Sequence, residues 1–383
     1  MPGWKVPLVD VSVPEADIAI VADVYRSGWL SMGPRTEEFE RALAAYTGSA
    51  HALAVANGTA ALHLICIAAG LGPGDEVIVP SLTFVASVNA IAYTGATPVF
   101  VDIASLTEPW PSAAAVEAAI TPRTCAVMAV AYGGHPGEIA ALRALAERRG
   151  LILLEDAAHA IGVRHEGRHL GTFGAAGAFS FFSNKNLAIG EGGAVVTDDD
   201  ALAERMRLLR SHGMTTLTWD RHRGHASSYD VVALGFNYRI DEPRAALATA
   251  RLARLDADNE RRRAIVARYR DKLAPIEGVV PTAPGGLHIF TVVVGGDRDA
   301  VREAMAQRGV QTSVHYPPAH RFSIYAGDAL PVTEAYAGST ITLPLFADMT
   351  EAQQDLVVDA LGAQPLGGLG DPVVRADPRA PAD

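Results

Sequence analysis

Lys185 stands in the segment GAFSFFSNKNLAIGEGGAVV, between an aromatic, apolar run and the glycines at 190, 192 and 193. Most lysines are solvated surface charges. One fixed on a tight turn between two apolar strands is instead an amine that can form a Schiff base with a carbonyl. Asp156 directly follows the apolar run LILLE, at the carboxyl end of a strand, where open α/β sheets gather ligand-binding groups. Such a carboxylate either pairs with a protonated ring nitrogen or caps a loop. His159, in the same EDAAHA segment, is open between ligand contact and local packing. In ANGTAALHL a buried strand runs into Asn57, Gly58 and Thr59 and then a helix. The free amides and dipole of a helix start grip a phosphate without a basic side chain, although the same turn serves an ordinary strand-to-helix junction capped by Asn57 or Thr59. Ser180 and Ser183 flank Lys185 and can donate to a phosphate. Together, a phosphate turn, a strand-end carboxylate and a fixed lysine are the groups that pyridoxal phosphate needs, in the order expected for one cofactor lying across the ends of a parallel sheet.

Those residues need a scaffold, and the chain supplies a strand, loop, helix rhythm. Glu37–Tyr46 has the spacing of an amphipathic helix ended by Gly48, after an N-terminal arm. Strands are expected over 52–56, 76–80, 97–103, 125–134 and 151–155, with helices between them to about Ala69, Tyr93 and Arg149. This alternation predicts an α/β fold with a mostly parallel sheet and helices on both faces. Further strands are expected over 177–182 and 192–198, and a helix from about Asp200 to Ser211. Residues 212–235 read as a polar loop. From Asp241 to about Leu273 one or two long helices lead to a second unit that mixes strands (HIFTVVVG, QTSVHY) with helices (DAVREAMAQRG, TEAQQDLVVDALG). The expected division is therefore 1–240, a large cofactor-binding domain with its arm; 241–362, linking helices and a smaller α/β domain; and 363–383, a disordered tail rich in Gly, Pro and Asp.

Composition narrows the function classes. A chain of 383 residues with 49% hydrophobic and 20% charged content is an ordinary globular protein. Its 32 basic and 43 acidic residues give a net charge of −11, which does not favour nucleic-acid or membrane-surface binding. With Cys66 and Cys125 alone, there is no disulfide framework and no multi-cysteine metal site. No signal-peptide pattern and no run of about 20 apolar residues is present, so a cytoplasmic protein is expected. A nicotinamide oxidoreductase would share the sheet, but no G-x-G-x-x-G follows an early strand.

The chain resembles the DegT/DnrJ/EryC1/StrS family of fold-type I aminotransferases, which act largely on keto sugars attached to nucleotides. The motifs that carry the resemblance run from SGWLSMGP (27–34) through NGTAALHL, PSLTFVASVNA, EDAAHAIG, FSFFSNKNLAIGEGG, LRSHGM, GFNYRIDEPRAAL and VHYPP to LPLF (343–346). The resemblance implies that Lys185 is the Schiff-base residue and that Asp156 keeps the pyridine nitrogen protonated. It places Phe84 on the cofactor ring, His159 near the phenolic oxygen, and Gly58, Thr59 and Ser180 on the phosphate. Asn237, in GFNYR, corresponds to a residue that reaches the phosphate from a partner subunit, which implies a homodimer with shared sites. Ser183 replaces a histidine that many members carry. Relatives that use the cofactor for dehydration carry histidine in place of the lysine, so retention of Lys185 points to transamination. Glutamate is the expected donor, and a keto sugar nucleotide or a keto cyclitol the acceptor; a non-catalytic regulatory homologue is a third alternative. Trp29 with its neighbours Gly28 and Leu30, the basic stretch Arg221 to His225, and His315 with Tyr316 are the candidates for substrate contact. Arg221 and Arg223 have the fork geometry that binds a pyrophosphate.

Overall fold

The computed structural model describes residues 3–216, 219 and 228–368. The N-terminal arm contains a helix that the sequence reading did not anticipate, α1 (Glu15–Ser27), ended by Gly28 in the left-handed conformation. Then follow α2 (Pro34–Thr47), β1 (His51–Val55), α3 (Gly58–Ala68), β2 (Glu76–Pro80), α4 (Val85–Tyr93), β3 (Thr97–Val101), α5 (Ala113–Ala118) and β4 (Thr124–Val130). Next come α6 (Ile139–Arg149), β5 (Ile152–Asp156), the short hairpin β6 (Arg164–His165) and β7 (Arg168–His169), β8 (Ala176–Ser180), β9 (Gly193–Thr197) and α7 (Asp200–Arg210).

Seven strands form one sheet in the order β1-β9-β8-β5-β4-β2-β3. The pairings β2·β3, β2·β4, β4·β5 and β5·β8 are parallel, and only β9 runs against its neighbours. The expected mostly parallel sheet is observed. Alternate residues of each strand serve opposite faces. Ala52, Ala54 and Ile78 join a core with Phe39 and Leu43 of α2 and Leu142 and Leu145 of α6. Leu53, Val55, Val77 and Val79 join another with Leu62 and Ile65 of α3, Ile91 of α4 and Met206 of α7. Burial on both faces explains why these strands read as continuous apolar runs.

Helices Glu242–Leu252 and Leu255–Leu273 follow, the second of the two alternatives read from the sequence. They lead to an antiparallel sheet of β10 (Val279–Pro281), β11 (Phe290–Val294) and β12 (Thr340–Leu343), whose core includes Tyr269, Val292, Met305 and Val357. Two strand expectations are corrected. The run 125–134 stops pairing at Val130, because Gly133 and Gly134 take positive φ and the chain turns through a 3-10 helix at Tyr132–Gly134. QTSVHY forms no regular strand. Its backbone partners are split, Gln311 donating to the Val6 carbonyl while Ser313 exchanges bonds with Thr342, and the prolines at 317 and 318 end the extended run. Among the described residues no helix is long and apolar enough to cross a membrane.

Candidate active site

The carboxyl ends of the parallel strands open into a cavity of 1010 Å³ lined by Gly58, Thr59, Phe84, Asp156, His159, Ser180, Lys185, His315 and Tyr316. Nine positions singled out from sequence thus converge, although they span more than 250 residues.

Each is held by its element. Asn57 caps α3 by accepting from the Ala60 amide at 2.8 Å, which leaves the Gly58 and Thr59 amides among those a helix cannot satisfy internally. Gly58 must be glycine, since a Cβ there would lie 2.8 Å from Ser180 Cβ. Gly193 must be glycine as well, since its Cβ would lie 2.6 Å from the Asn57 carbonyl carbon. These close approaches bring the start of α3 against Ser180 at the end of β8 and make a concave cradle of amides and one hydroxyl, suited to a phosphate.

Asp156 is the last residue of β5 and is buried. Its carboxylate accepts from Ser87 Oγ at 2.6 Å and from the Ala158 amide at 3.0 Å. Burial raises its pKa, against those two bonds and the charge of Lys185. Lys185 lies in a loop closed by three backbone bonds, Lys185 to the Phe182 carbonyl (2.8 Å), Ile189 to Phe181 (2.9 Å) and Phe181 to Gly192 (2.9 Å), and anchored by buried Phe181, Leu187 and Ile189. Ser183 Oγ donates to the Gly190 carbonyl at 3.1 Å, across the same loop. Burial pulls the Lys185 pKa from 10.5 to about 8, while the charge of Asp156 opposes the fall. Phe84 is 54% exposed, with its ring 5.7 Å from that of Tyr316. It is therefore no core phenylalanine, and it presents an aromatic face to the cavity.

His159 is buried and held well below its ordinary pKa, by burial first and then by the charge of Lys185. The Gly133 amide donates to its Nδ1 at 3.1 Å, so the proton sits on Nε2, 3.2 Å from the Tyr316 hydroxyl. His315 bonds Thr342 Oγ1 through Nδ1 at 2.8 Å, and burial lowers its pKa to about 4. Trp29 does not line this cavity; its ring lies 4.6 Å from that of Trp219, tilted at 56° to it. Asn237 is exposed and does not line it either. Arg221, Arg223 and His225 lie outside the described residues. Sequence reasoning missed Ser87, Tyr132, Tyr238 and His288. Ser87 stood in a quoted motif one helical turn past Thr83, which gave a signal; a histidine before the apolar run IFTVVV gave none.

An amine kept partly neutral, a buried carboxylate, an aromatic face and a phosphate cradle fit pyridoxal phosphate in chemical kind and order. A model of the DegT/DnrJ/EryC1/StrS aminotransferase family matches residues 12–362. Among solved structures, the aminotransferase TlmJ from Streptoalloteichus hindustanus is 35% identical, with 94% of this chain and 98% of that one covered and a TM-score of 0.88. DesV from S. venezuelae, solved in complex with a ketimine intermediate, is 41% identical, with 93% and 98% covered and a TM-score of 0.84. The PLP form of Spr1654 from Streptococcus pneumoniae, a putative sugar aminotransferase by its description, is 28% identical, with 94% and 98% covered and a TM-score of 0.87.

Proposed function

The chain belongs to the DegT/DnrJ/EryC1/StrS aminotransferase family and is a PLP-dependent enzyme of fold type I; from that premise we propose that it moves the amino group of glutamate to a keto sugar nucleotide. The observation that carries the substrate class is the size of the cavity. At 1010 Å³ it reaches the upper end of ordinary ligand sites, about 300–1,000 Å³, which gives room for a nucleotide-linked sugar beside a cofactor. Spr1654, a putative sugar aminotransferase by its description, lends support.

The Gly58 and Thr59 amides and the Ser180 hydroxyl would hold the cofactor phosphate, Phe84 would cover the ring, and Asp156 would accept a hydrogen bond from the ring nitrogen. Ser87 and Ala158 fix the direction of that carboxylate. When bound, the cofactor supplies an electron sink for the bond broken at the amino-bearing carbon. Nζ of Lys185, once free, would carry a proton from that carbon to the cofactor in the donor half and from the cofactor to the acceptor carbon in the second half. A pKa near 8 suits both duties, because a useful share is neutral near pH 7 and the proton is not held too tightly. His315 and Tyr316, which line the same cavity, would contact the acceptor.

A homodimer with shared sites belongs to the same proposal. Asn237 is outward-facing, and Phe182 and Leu234 nearby in sequence to the site loops are exposed apolar side chains that a second copy would cover. We also propose the division near residue 240, where the helix Glu242–Leu252 begins. Incubation of the holoenzyme with 15N-glutamate and a mixed set of keto sugar nucleotides and keto cyclitols tests the substrate class. Label is expected in an amino sugar nucleotide; label only in a cyclitol establishes the alternative, and label in neither overturns the proposal.

A further inference from the structure

A line of side-chain hydrogen bonds runs from the helix Leu255–Leu273 to Lys185, and the transfer chemistry above makes no use of it. Asn259, fully buried, donates through Nδ2 to the Ile161 carbonyl at 3.2 Å, so its Oδ1 faces the other way. Asn186 Nδ2 donates to that Oδ1 at 2.9 Å and to the Leu287 carbonyl at 3.1 Å. A carbonyl oxygen only accepts, so the orientation of the Asn186 amide is fixed and its own Oδ1 faces His288 Nδ1 at 3.2 Å. His288 is buried and held neutral, by burial first and then by the charge of Lys185. Its proton must therefore sit on Nδ1, toward Asn186, and Nε2 keeps a lone pair. Lys185 Nζ lies 3.3 Å from that Nε2 and donates to it. The other titratable or charged groups that act on His288 are His159, whose ring centroid is 4.3 Å away, His315 and Arg262.

We propose that His288 is a positioning residue for the transfer. A free primary amine has two N–H bonds and one lone pair. With one N–H directed to His288 Nε2, rotation about the terminal bond of Lys185 is restricted and the amine lone pair turns toward the cavity, where the carbon that loses and gains a proton must lie. The bond is long for a nitrogen donor, so the amine is oriented without being trapped. Two backbone carbonyls, those of Ile161 and Leu287, set the direction of the whole line. This inference rests on the reading of Lys185 as the cofactor-bearing residue.

The test uses the full-length chain freed of cofactor and the pH dependence of Lys185 acetylation by acetic anhydride, followed by mass spectrometry of the Lys185 peptide. A neutral acceptor binds an ammonium more strongly than an amine, so loss of the acceptor destabilises the charged form. His288→Phe is expected to move the half-reaction pH of Lys185 below the wild-type value, and His288→Gln, whose amide oxygen can accept, to return it. In the loaded enzyme His288→Phe should lower kcat about 100-fold with the donor KM near wild type, and His288→Gln should recover most of the rate. If His288→Phe does not fold, Asn186→Ala serves, because it releases the tautomer and should move the Lys185 profile the same way. An unchanged Lys185 profile in these variants overturns the inference, as does an equal loss of rate in the Phe and Gln variants. A Lys185→Ala enzyme that keeps full turnover would instead defeat the reading of Lys185 itself.

Discussion

Replacing Gly58 with alanine separates the phosphate cradle from a mere turn. A Cβ at residue 58 would lie 2.8 Å from Ser180 Cβ, 3.1 Å from its Oγ and 3.3 Å from its Cα, well inside van der Waals contact. Ser180 cannot yield, since it belongs to β8, which is paired on both sides by β5 and β9. The start of α3 must withdraw instead. Overpacking of this kind costs about 1–3 kcal/mol, and the withdrawal also pulls the Gly58 and Thr59 amides away from Ser180. Since 1.4 kcal/mol is a factor of ten in affinity, cofactor binding should weaken about 10- to 100-fold. Fluorescence titration of the cofactor-free chain with pyridoxal phosphate measures that change, and denaturant unfolding measures the strain. A Gly58→Ala, Ser180→Gly double variant removes both Cβ atoms' conflict and should recover unfolding stability beyond the sum of the single effects. Unchanged cofactor affinity and stability in Gly58→Ala would refute the packing argument.

Other perturbations separate the roles further. Lowered from 10.5 to about 8, Lys185 is neutral in about one molecule in eleven at pH 7, about 300 times the share of an ordinary lysine; its acylation in the cofactor-free chain should rise with pH to a half-maximum near 8, and a midpoint near 10.5 would contradict burial. Asp156→Asn removes the one charge that holds this value up, so the midpoint should fall and transamination should drop about 100-fold or more, read by steady-state kinetics. Phe84→Ala should leave unfolding stability within about 0.5 kcal/mol, because the side chain is half-exposed, while cofactor affinity falls up to about tenfold through lost ring contact. Mixed dimers of Lys185→Ala and Asn237→Ala chains should regain activity that neither variant shows alone; fully active monomers in a sedimentation experiment would defeat the shared site.

Much of this site was legible because its parts are local signals in fixed order. A strand-end aspartate, an N-G-T turn and a lysine before glycines each announce a geometry, and the parallel sheet brings strand ends together whatever their separation in sequence. What escaped depends on distant packing. His288 owes its place to Asn186 and Asn259, which lie 102 and 29 residues before it in sequence, and no spacing rule links those positions. The failure of QTSVHY as a strand has the same origin: its alternation is adequate, but its bonds are divided between Val6 and Thr342. Helix α1 was missed because only Asp17 and Val24 of its residues are buried, which leaves a weak apolar stripe to read.

The central claim is that Lys185 and Asp156 serve one cofactor that exchanges amino groups with glutamate. Absorption spectroscopy of the purified holoenzyme before and after addition of glutamate tests it most directly. The account predicts a band near the visible edge that moves to the ultraviolet with glutamate and returns when a keto sugar nucleotide is added, with no such cycle in Lys185→Ala. A bound cofactor whose spectrum ignores glutamate, or a Lys185→Ala protein that cycles like the wild type, would contradict it.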